Sequence, residues 1–308
     1  MIDVAIVGGG PAGAAAAIAC ARAGLRAVVF ERALAVNPAD ESIGADVVAL
    51  LRQLGIDGVL EGTPFAGVTT GTRFAVFGGA NPVAGFHVSR IWLDGVLRAR
   101  AGIRPGVEAI SVVRDGPGFV VGTSTGPMSV RAVIDAAGRR PFLARHFSLK
   151  RMRRSPPLIA WRDVVPTEGA GGVLSRFTPL PDGWRWQADT KDGRTIRVRL
   201  QPARVPGRPL SLSATAHAAR WQRIARLAGE GWFLAGDAAG ALDPAYGAGI
   251  GFALRSGLAA GSAAAACLND PRSAAMIAAC YHAAVSDVFE TAEATLAASY
   301  RAAGICFD

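Results

Sequence analysis

The sequence predicts an α/β protein with a Rossmann-like nucleotide-binding domain, an inserted antiparallel β-sheet and carboxyl-terminal helices. Three observations predict it. A glycine-rich turn, Gly8-Gly9-Gly10-Pro11-Ala12-Gly13, follows an apolar run at the amino terminus. A second, running from Asp243 to Gly251, comes shortly after Gly236-Asp237 near the other end of the chain. Between them lie stretches that alternate apolar and polar residues at the period of a half-buried strand.

Residues 2–7 are of strand length and rich in β-branched side chains, and residues 14–23 are alanine-rich and read as helix. The glycines of the intervening turn do separate work. Gly8 allows the tight turn, Gly10 lets backbone approach a pyrophosphate, and Gly13 lets helix pack close to strand. The helix amino terminus, with Pro11 and Ala12 in its first turn, presents free N–H groups and a positive dipole end to phosphates. Residues 25–30 form the next strand. Glu31 stands at its end, followed by Arg32. A carboxylate there accepts hydrogen bonds from both ribose hydroxyls and repels a 2′-phosphate, which favours FAD or NAD over NADP.

Trp232-Phe233-Leu234-Ala235 is a further short strand that ends at Gly236-Asp237, where the aspartate can bond a ribityl hydroxyl. Pro244, Gly247, Gly249 and Ile250 then lead into a helix over 250–267. Such a run of amides suits the electron-rich N1/O2 edge of a reduced flavin. A nicotinamide dehydrogenase has no need of this second site, so FAD is the expected cofactor.

With these residues in view, the chain resembles the glutathione-reductase-type flavoproteins, and among them the FAD-dependent monooxygenase and tryptophan-halogenase-like branch. Glu41-Ser42-Ile43-Gly44 with Leu50-Leu51-Arg52-Gln53-Leu54-Gly55 is similar to its "GES…LLxxLG" segment. His87-Val88-Ser89-Arg90 with Leu93-Asp94 and Leu97 is similar to its "hxxRxxFDxxL" helix, whose arginine lies near the flavin. Asp135-Ala136-Ala137-Gly138-Arg139 is similar to "DATGR". Gly236-Asp237-Ala238, Asp243-Pro244 and Ala253-Leu254-x-Ser256-Gly257 are similar to "GDAAxxxDPxxGxGxxxALxSG". The resemblance implies that Ser42, Arg90 and Gly138 join the cofactor site. It covers roughly residues 2–262 and is specific for FAD but not for substrate.

Two departures argue against halogenation. Trp184-Arg185-Trp186-Gln187-Ala188-Asp189 has the two tryptophans of the halogenase Trp-x-Trp-x-Ile-Pro block but neither Ile nor Pro. The only lysines are Lys150 and Lys191, neither of them in the 67–77 region where the halogenase lysine is expected. Trp184 and Trp186 are read either as one face of a strand, because residues two apart point the same way, or as substrate-stacking rings.

At 308 residues and 51% hydrophobic, the chain can bury a substantial core. Its first apolar run is too short for a signal peptide, and Arg255 interrupts its apolar helix upstream of 259–267, so no transmembrane segment and a cytoplasmic location are expected. Cys20, Cys267, Cys280 and Cys306 lack metal-ligand or CxxC spacing and are read as buried reduced thiols. The net charge of +9 is concentrated: residues 136–235 carry 19 Lys/Arg against 6 Asp/Glu. That density suits an anionic substrate or an acidic partner, with Arg151-Met152-Arg153-Arg154 the best face. Equally, 31 arginines beside two lysines suit a GC-rich coding bias. No nucleic-acid module or metal site is recognised.

The expected organisation is a discontinuous FAD domain over 1–62, 88–147 and 218–270, a small substrate domain over 63–87 and 148–217, and terminal helices over 271–308. Strands are expected at 107–113, 118–123 and 128–134. Four more, at 158–165, 172–178, 184–190 and 195–201, form the antiparallel sheet, the last two joined at Lys191-Asp192-Gly193. By resemblance the protein is a monooxygenase that takes electrons from NAD(P)H and hydroxylates an electron-rich aromatic substrate through a flavin C4a-hydroperoxide. The substrate is a small molecule or a tryptophan in a partner peptide or protein. No catalytic residue is assigned, and His87 and His217 are read as structural. The alternatives are a flavin-dependent reductase of isoprenoid double bonds and an FAD-binding partner protein without turnover.

Overall fold

The structure, a computed structural model, describes residues 2–34, 40–56, 85–167, 175–190, 193–206 and 210–307. β1 (Ile2–Val7) turns into α1 (Pro11–Arg22), and β2 (Ala27–Phe30) returns parallel to β1 with Val4 opposite Ala27. β3 (Asp40–Gly44) runs into α2 (Ala45–Gln53), and β4 (Gly85–Ser89) pairs antiparallel with β3 before α3 (Arg90–Arg100). Leu51 of α2, Leu54 just past its end, and Leu93 and Leu97 of α3 bury themselves against the Ala14, Ala15 and Ile18 face of α1. β5 (Ala109–Asp115), β6 (Gly118–Thr123) and β7 (Gly126–Asp135) form a meander. β7 is long enough for two roles: its first half pairs with β6, and its second half lies parallel to β1.

After α4 (Phe142–His146) and the short β8 (Arg151–Arg153), the chain builds a second sheet. Its strands are β9 (Leu158–Pro166), β10 (Ser175–Leu180), β11 (Gly183–Asp189), β12 (Arg194–Pro202) and β13 (Thr215–Ala218), in spatial order β10-β11-β12-β9-β13. β14 (Gln222–Ile224) pairs antiparallel with β8 and with β17 (Gly240–Ala241) in a small third sheet, while β15 (Ala228–Gly229) and β16 (Trp232–Leu234) return to the first, where β16 lies parallel to β7. α5 (Gly249–Asn269) and α6 (Ala274–Ala302) complete the fold.

The alanine-rich composition of α1 has a packing reason. Pro11 to Cys20 are all buried, because α1 is enclosed between the sheet and other helices. α5 crosses it at backbone contact: a Cβ on Gly257 would lie 2.2 Å from the Ala12 carbonyl oxygen, and one on Gly261 2.6 Å from that of Ala16. α5 is also long and apolar enough to cross a bilayer, yet 61% of its most apolar stretch is buried inside this fold.

The expected strands all appear, with ends shifted by no more than two residues wherever both ends are described. Their antiparallel arrangement in the second sheet is also as expected. Of the Lys191-Asp192-Gly193 turn only Gly193 falls in the described residues, and most of the 63–87 covering segment lies outside them. Two features were not anticipated, and one expectation is corrected. β13 was not anticipated, because its four residues are all exposed and show no alternation. α6, at 29 residues, packs on both layers, reaching from Tyr281 and Val285 in the first core to Leu296 and Tyr300 against the second sheet. Cys20 and Cys267 are buried, whereas Cys280 and Cys306 are exposed, since both lie on outward-facing parts of the terminal helix and tail.

Candidate functional site

One cavity of about 1110 Å³ runs from the Gly8–Ala12 turn, past Gly138 and Gly236-Asp237, to the 244–250 loop and the face of the second sheet. It is lined by Gly8, Gly10, Pro11, Ala12, Glu31, Arg32, Arg90, Gly138, Gly236, Asp237, Pro244, Gly247, Gly249 and Ile250. One residue singled out from sequence does not line it. Gly13 packs behind it, where a Cβ would lie 1.9 Å from the Gly8 carbonyl oxygen. Ser42 lies on β3, with a side chain outside the described part.

Two helix amino termini open into this space. Neither α1, entered at Gly10, nor α5, entered at Ala248, has a side-chain cap, so their first-turn amides are available to a ligand. Gly8 sits at φ +102° with its α-carbon against the Ala136 carbonyl, a position no side chain can occupy. Gly236, at φ +60°, brings the Asp237 turn against Ala12, and its amide donates to Ser256 Oγ at 2.8 Å. The two motifs far apart in sequence therefore meet through one helix crossing.

The charged residues are held in pairs. Glu31 accepts from the Gly9 amide (2.7 Å) and the Ala33 amide (2.7 Å), and Arg98 lies 3.6 Å from it while donating to the Gly9 carbonyl. Arg32 meets Glu108 at 3.3 Å at the exposed rim. Arg90 forks onto buried Asp94 (3.0 and 2.9 Å) and reaches Glu41 at 3.4 Å. Arg139 lies 3.6 Å from Asp237 and also donates to the Arg220 and Leu242 carbonyls. Burial raises the Asp237 carboxyl above its usual range, with Arg139 and Arg90 opposing that rise. Asp135, fully buried at the end of β7, is pushed up to about 7 by burial although the Ala137 and Leu143 amides donate to it.

The opposite wall is apolar. Phe177, Trp186 and Val198 form one cross-strand row that continues to Arg162, and Trp184 lies in the next row. Trp184 and Trp186 share one strand face, and that face lines the cavity. Trp184 is only 1% exposed and donates to Tyr300 Oη at 2.7 Å. His217 lies on β13 at the cavity wall, with Nε2 3.1 Å from Thr215 Oγ1; burial and Arg162 hold its ring below the usual histidine range. His87 is on β4, and nothing further is described for it. In the basic cluster Arg151 and Arg153 are exposed on β8, whereas Arg154 pairs with Glu293 of α6 at 3.2 Å.

Several site residues were not singled out from sequence. Asp94, Arg139 and Ser256 stood inside quoted motifs, and that was the signal for them. Arg98, Arg162, Trp221 and Tyr300 carried no signal, since only tertiary contact brings them in.

Comparison with known proteins accords with this geometry. Residues 1–76 match the family model described as an FAD binding domain. Over 94% of its length the chain superposes on the peptidyl tryptophan dihydroxylase QhpG, essential for tryptophylquinone cofactor biogenesis, with TM-score 0.75 and 26% identity. The chain resembles the FAD-dependent hydroxylase and halogenase-like flavoproteins. Its fold is shared with CmlS, a flavin-dependent halogenase, at TM-score 0.80 and 19% identity over 97% of this chain. The menaquinone reductase of Mycobacterium tuberculosis is 28% identical over 309 residues, 83% of this chain. This flavoprotein spans 64% of the length of CmlS, 73% of QhpG and 74% of the reductase.

The residues present fit FAD. The Gly8–Gly13 cradle and the uncapped end of α1 suit a pyrophosphate, Glu31 and Asp237 offer carboxylates to the two polyols, and the end of α5 offers positive dipole to a ring edge.

Proposed function

We propose that this flavoprotein is a monooxygenase that hydroxylates an electron-rich aromatic substrate between the flavin site and the second sheet, using electrons from NADH or NADPH. The observation that carries this reading is the continuity of one cavity between the cofactor motifs and the Phe177–Trp186–Val198 wall. When bound, the flavin supplies electron storage and oxygen activation; the chain supplies position and a dry, polarised site. Glu31 and Asp237 orient the two polyols, with Arg98 and Arg139 holding those carboxylates in place. The first-turn amides of α5 steady negative charge at the ring edge. Trp186, Phe177 and Val198 exclude water and offer faces for stacking. On this reading residues 1–62, 88–147 and 218–270 hold the cofactor, and 63–87 with 148–217 cover the substrate.

A tryptophan side chain in a peptide or protein is the narrower substrate we propose. The likeness to QhpG supports it, and exposed Arg151 and Arg153 suit an acidic segment alongside. The likeness to menaquinone reductase supports a second reading, reduction of an isoprenoid double bond. The test is to add FAD to the purified chain and follow NADH and NADPH oxidation anaerobically and in air, with peroxide quantified. Reduction by either nucleotide followed by rapid oxygen consumption is expected, with peroxide yield falling when an aromatic substrate fits. Turnover of a prenylated quinone without oxygen would favour the reductase. Flavin that binds but accepts no electrons from either nucleotide would leave a partner protein without turnover of its own.

A further inference from the structure

Asp243 is 3% exposed, and it gathers three elements that are remote in sequence. Its Oδ1 accepts from the Ala245 amide at 2.8 Å, and its Oδ2 accepts from Trp221 Nε1 at 2.7 Å and from Tyr300 Oη at 2.8 Å. Tyr300, near the end of α6, in turn accepts from Trp184 Nε1 at 2.7 Å. Its ring stacks on Trp221 at 5.9 Å and meets Phe307 edge-on at 5.1 Å. A continuous hydrogen-bonded line thus runs from a tryptophan in the cavity wall, through the last turns of the carboxyl-terminal helix, to the loop that leads into α5. Four polar groups among aromatic rings, each with a partner, make an arrangement that resists any small displacement.

We propose that Tyr300 is a positioning residue: through Asp243 it sets the 244–250 loop against the flavin, and through Trp184 it links that setting to occupancy of the substrate wall. This rests on the flavin reading of the cavity. Its consequence is reciprocal: whatever pushes on Trp184 changes how tightly the flavin is held, and bound flavin changes affinity at the wall by the same factor. Protonation of Asp243 breaks the line, because its new O–H then confronts the donors already aimed at it. The groups that bear on this carboxyl are Tyr300 from α6, the Trp221 indole, the Ala245 amide and, by charge, Arg139 beyond the end of β7. Burial raises it to about 6 against the pull of those donors. Removing one of the donors therefore raises it further.

The experiment measures FAD affinity by flavin fluorescence for the wild-type chain, Tyr300→Phe, Trp184→Phe, the double variant and Asp243→Asn, from pH 5 to 8. Tyr300→Phe deletes one hydroxyl and is expected to raise the FAD Kd about tenfold at pH 7.5. It should also move the low-pH loss of affinity to higher pH. Trp184→Phe should raise Kd severalfold, and the double variant should be little worse than Tyr300→Phe alone, as for residues acting in one line. Asp243→Asn should lack the loss of affinity near pH 6. Circular dichroism melts separate loss of position from loss of fold. If Tyr300→Phe fails to fold, Trp184→Phe and the pH profile of Asp243→Asn carry the same test. Tyr300→Phe binding FAD within twofold of wild type, or singles that add independently, would overturn the inference. Wild-type protein that binds no FAD would instead sink the flavin reading itself.

Discussion

Gly257→Ala tests the crossing that brings the two cofactor motifs together. Two effects oppose each other. In a helix interior alanine is favoured over glycine by about 1 kcal/mol. Against that, the new Cβ would lie 2.2 Å from the Ala12 carbonyl oxygen and 3.0 Å from the Ala15 Cβ. Reaching an ordinary contact of 3.4 Å requires a displacement of about 1.2 Å, the difference of those two distances. The obstructing atom is backbone, so no rotamer change relieves it, and α1 must move as a body. Overpacking of this kind costs about 1–3 kcal/mol. The upper part of that range applies, which leaves a net loss of about 1–2 kcal/mol after the helix gain. Because Pro11 and Ala12 line the cavity, the same displacement disturbs the pyrophosphate cradle. Thermal melts of the flavin-free chain should show a midpoint lower by a few degrees, and titration should show FAD affinity reduced at least about tenfold. Gly10→Ala is the control. Nothing lies within 4 Å of a Cβ there and its φ of −77° suits any residue, so stability should hold while the methyl group obstructs the ligand. Gly257→Ala with wild-type stability and affinity would refute the reasoning about the crossing, and Gly10→Ala with normal FAD affinity would place the phosphates elsewhere.

Other variants test other parts of the site. Arg98→Ala releases Glu31 and the Gly9 carbonyl, so FAD affinity measured by titration should fall about tenfold with little change in melting temperature. Trp186→Ala, half-buried in the cavity wall, should leave FAD binding within twofold and weaken suppression of peroxide formation by aromatic substrates. Asp135 is raised in the fold, so its contribution to stability falls as pH rises from its ordinary value of 3.8 to about 7 and levels off above that. Urea unfolding of Asp135→Asn should therefore gain on wild type between pH 5 and 7, by at most about 1.4 kcal/mol per pH unit. A constant difference across that range would remove the raised carboxyl. Taking the difference between the two proteins cancels His146, His217 and His282, whose lowered values act in the opposite direction.

Much of the fold was legible because its signals are local. The strand–glycine–helix unit at residues 2–22 and the Gly236-Asp237 turn are short-range steric demands, written in residues that hardly any other type could replace. The second sheet showed itself by alternation, since one face of each strand meets the cavity and the other does not. β13 escaped because a strand exposed on both faces has no alternation to read. Arg139 and Asp94 were visible only as motif letters; Arg139 meets Asp237 because of where β7 ends in space, whereas Asp94 pairs with Arg90 one turn away on the same helix.

The sequence alone determined that a nucleotide-binding unit with two glycine-rich ends exists, since backbone conformation and helix dipoles depend on neighbours along the chain. The tertiary structure decided that those ends face one cavity, that α1 and α5 touch at backbone distance, and that Tyr300 reaches Asp243. Those contacts depend on the docking of helices whose partners lie more than fifty residues away, as with Tyr300 and Asp243, separated by 57. Close packing fixes them, and local propensity carries no record of it.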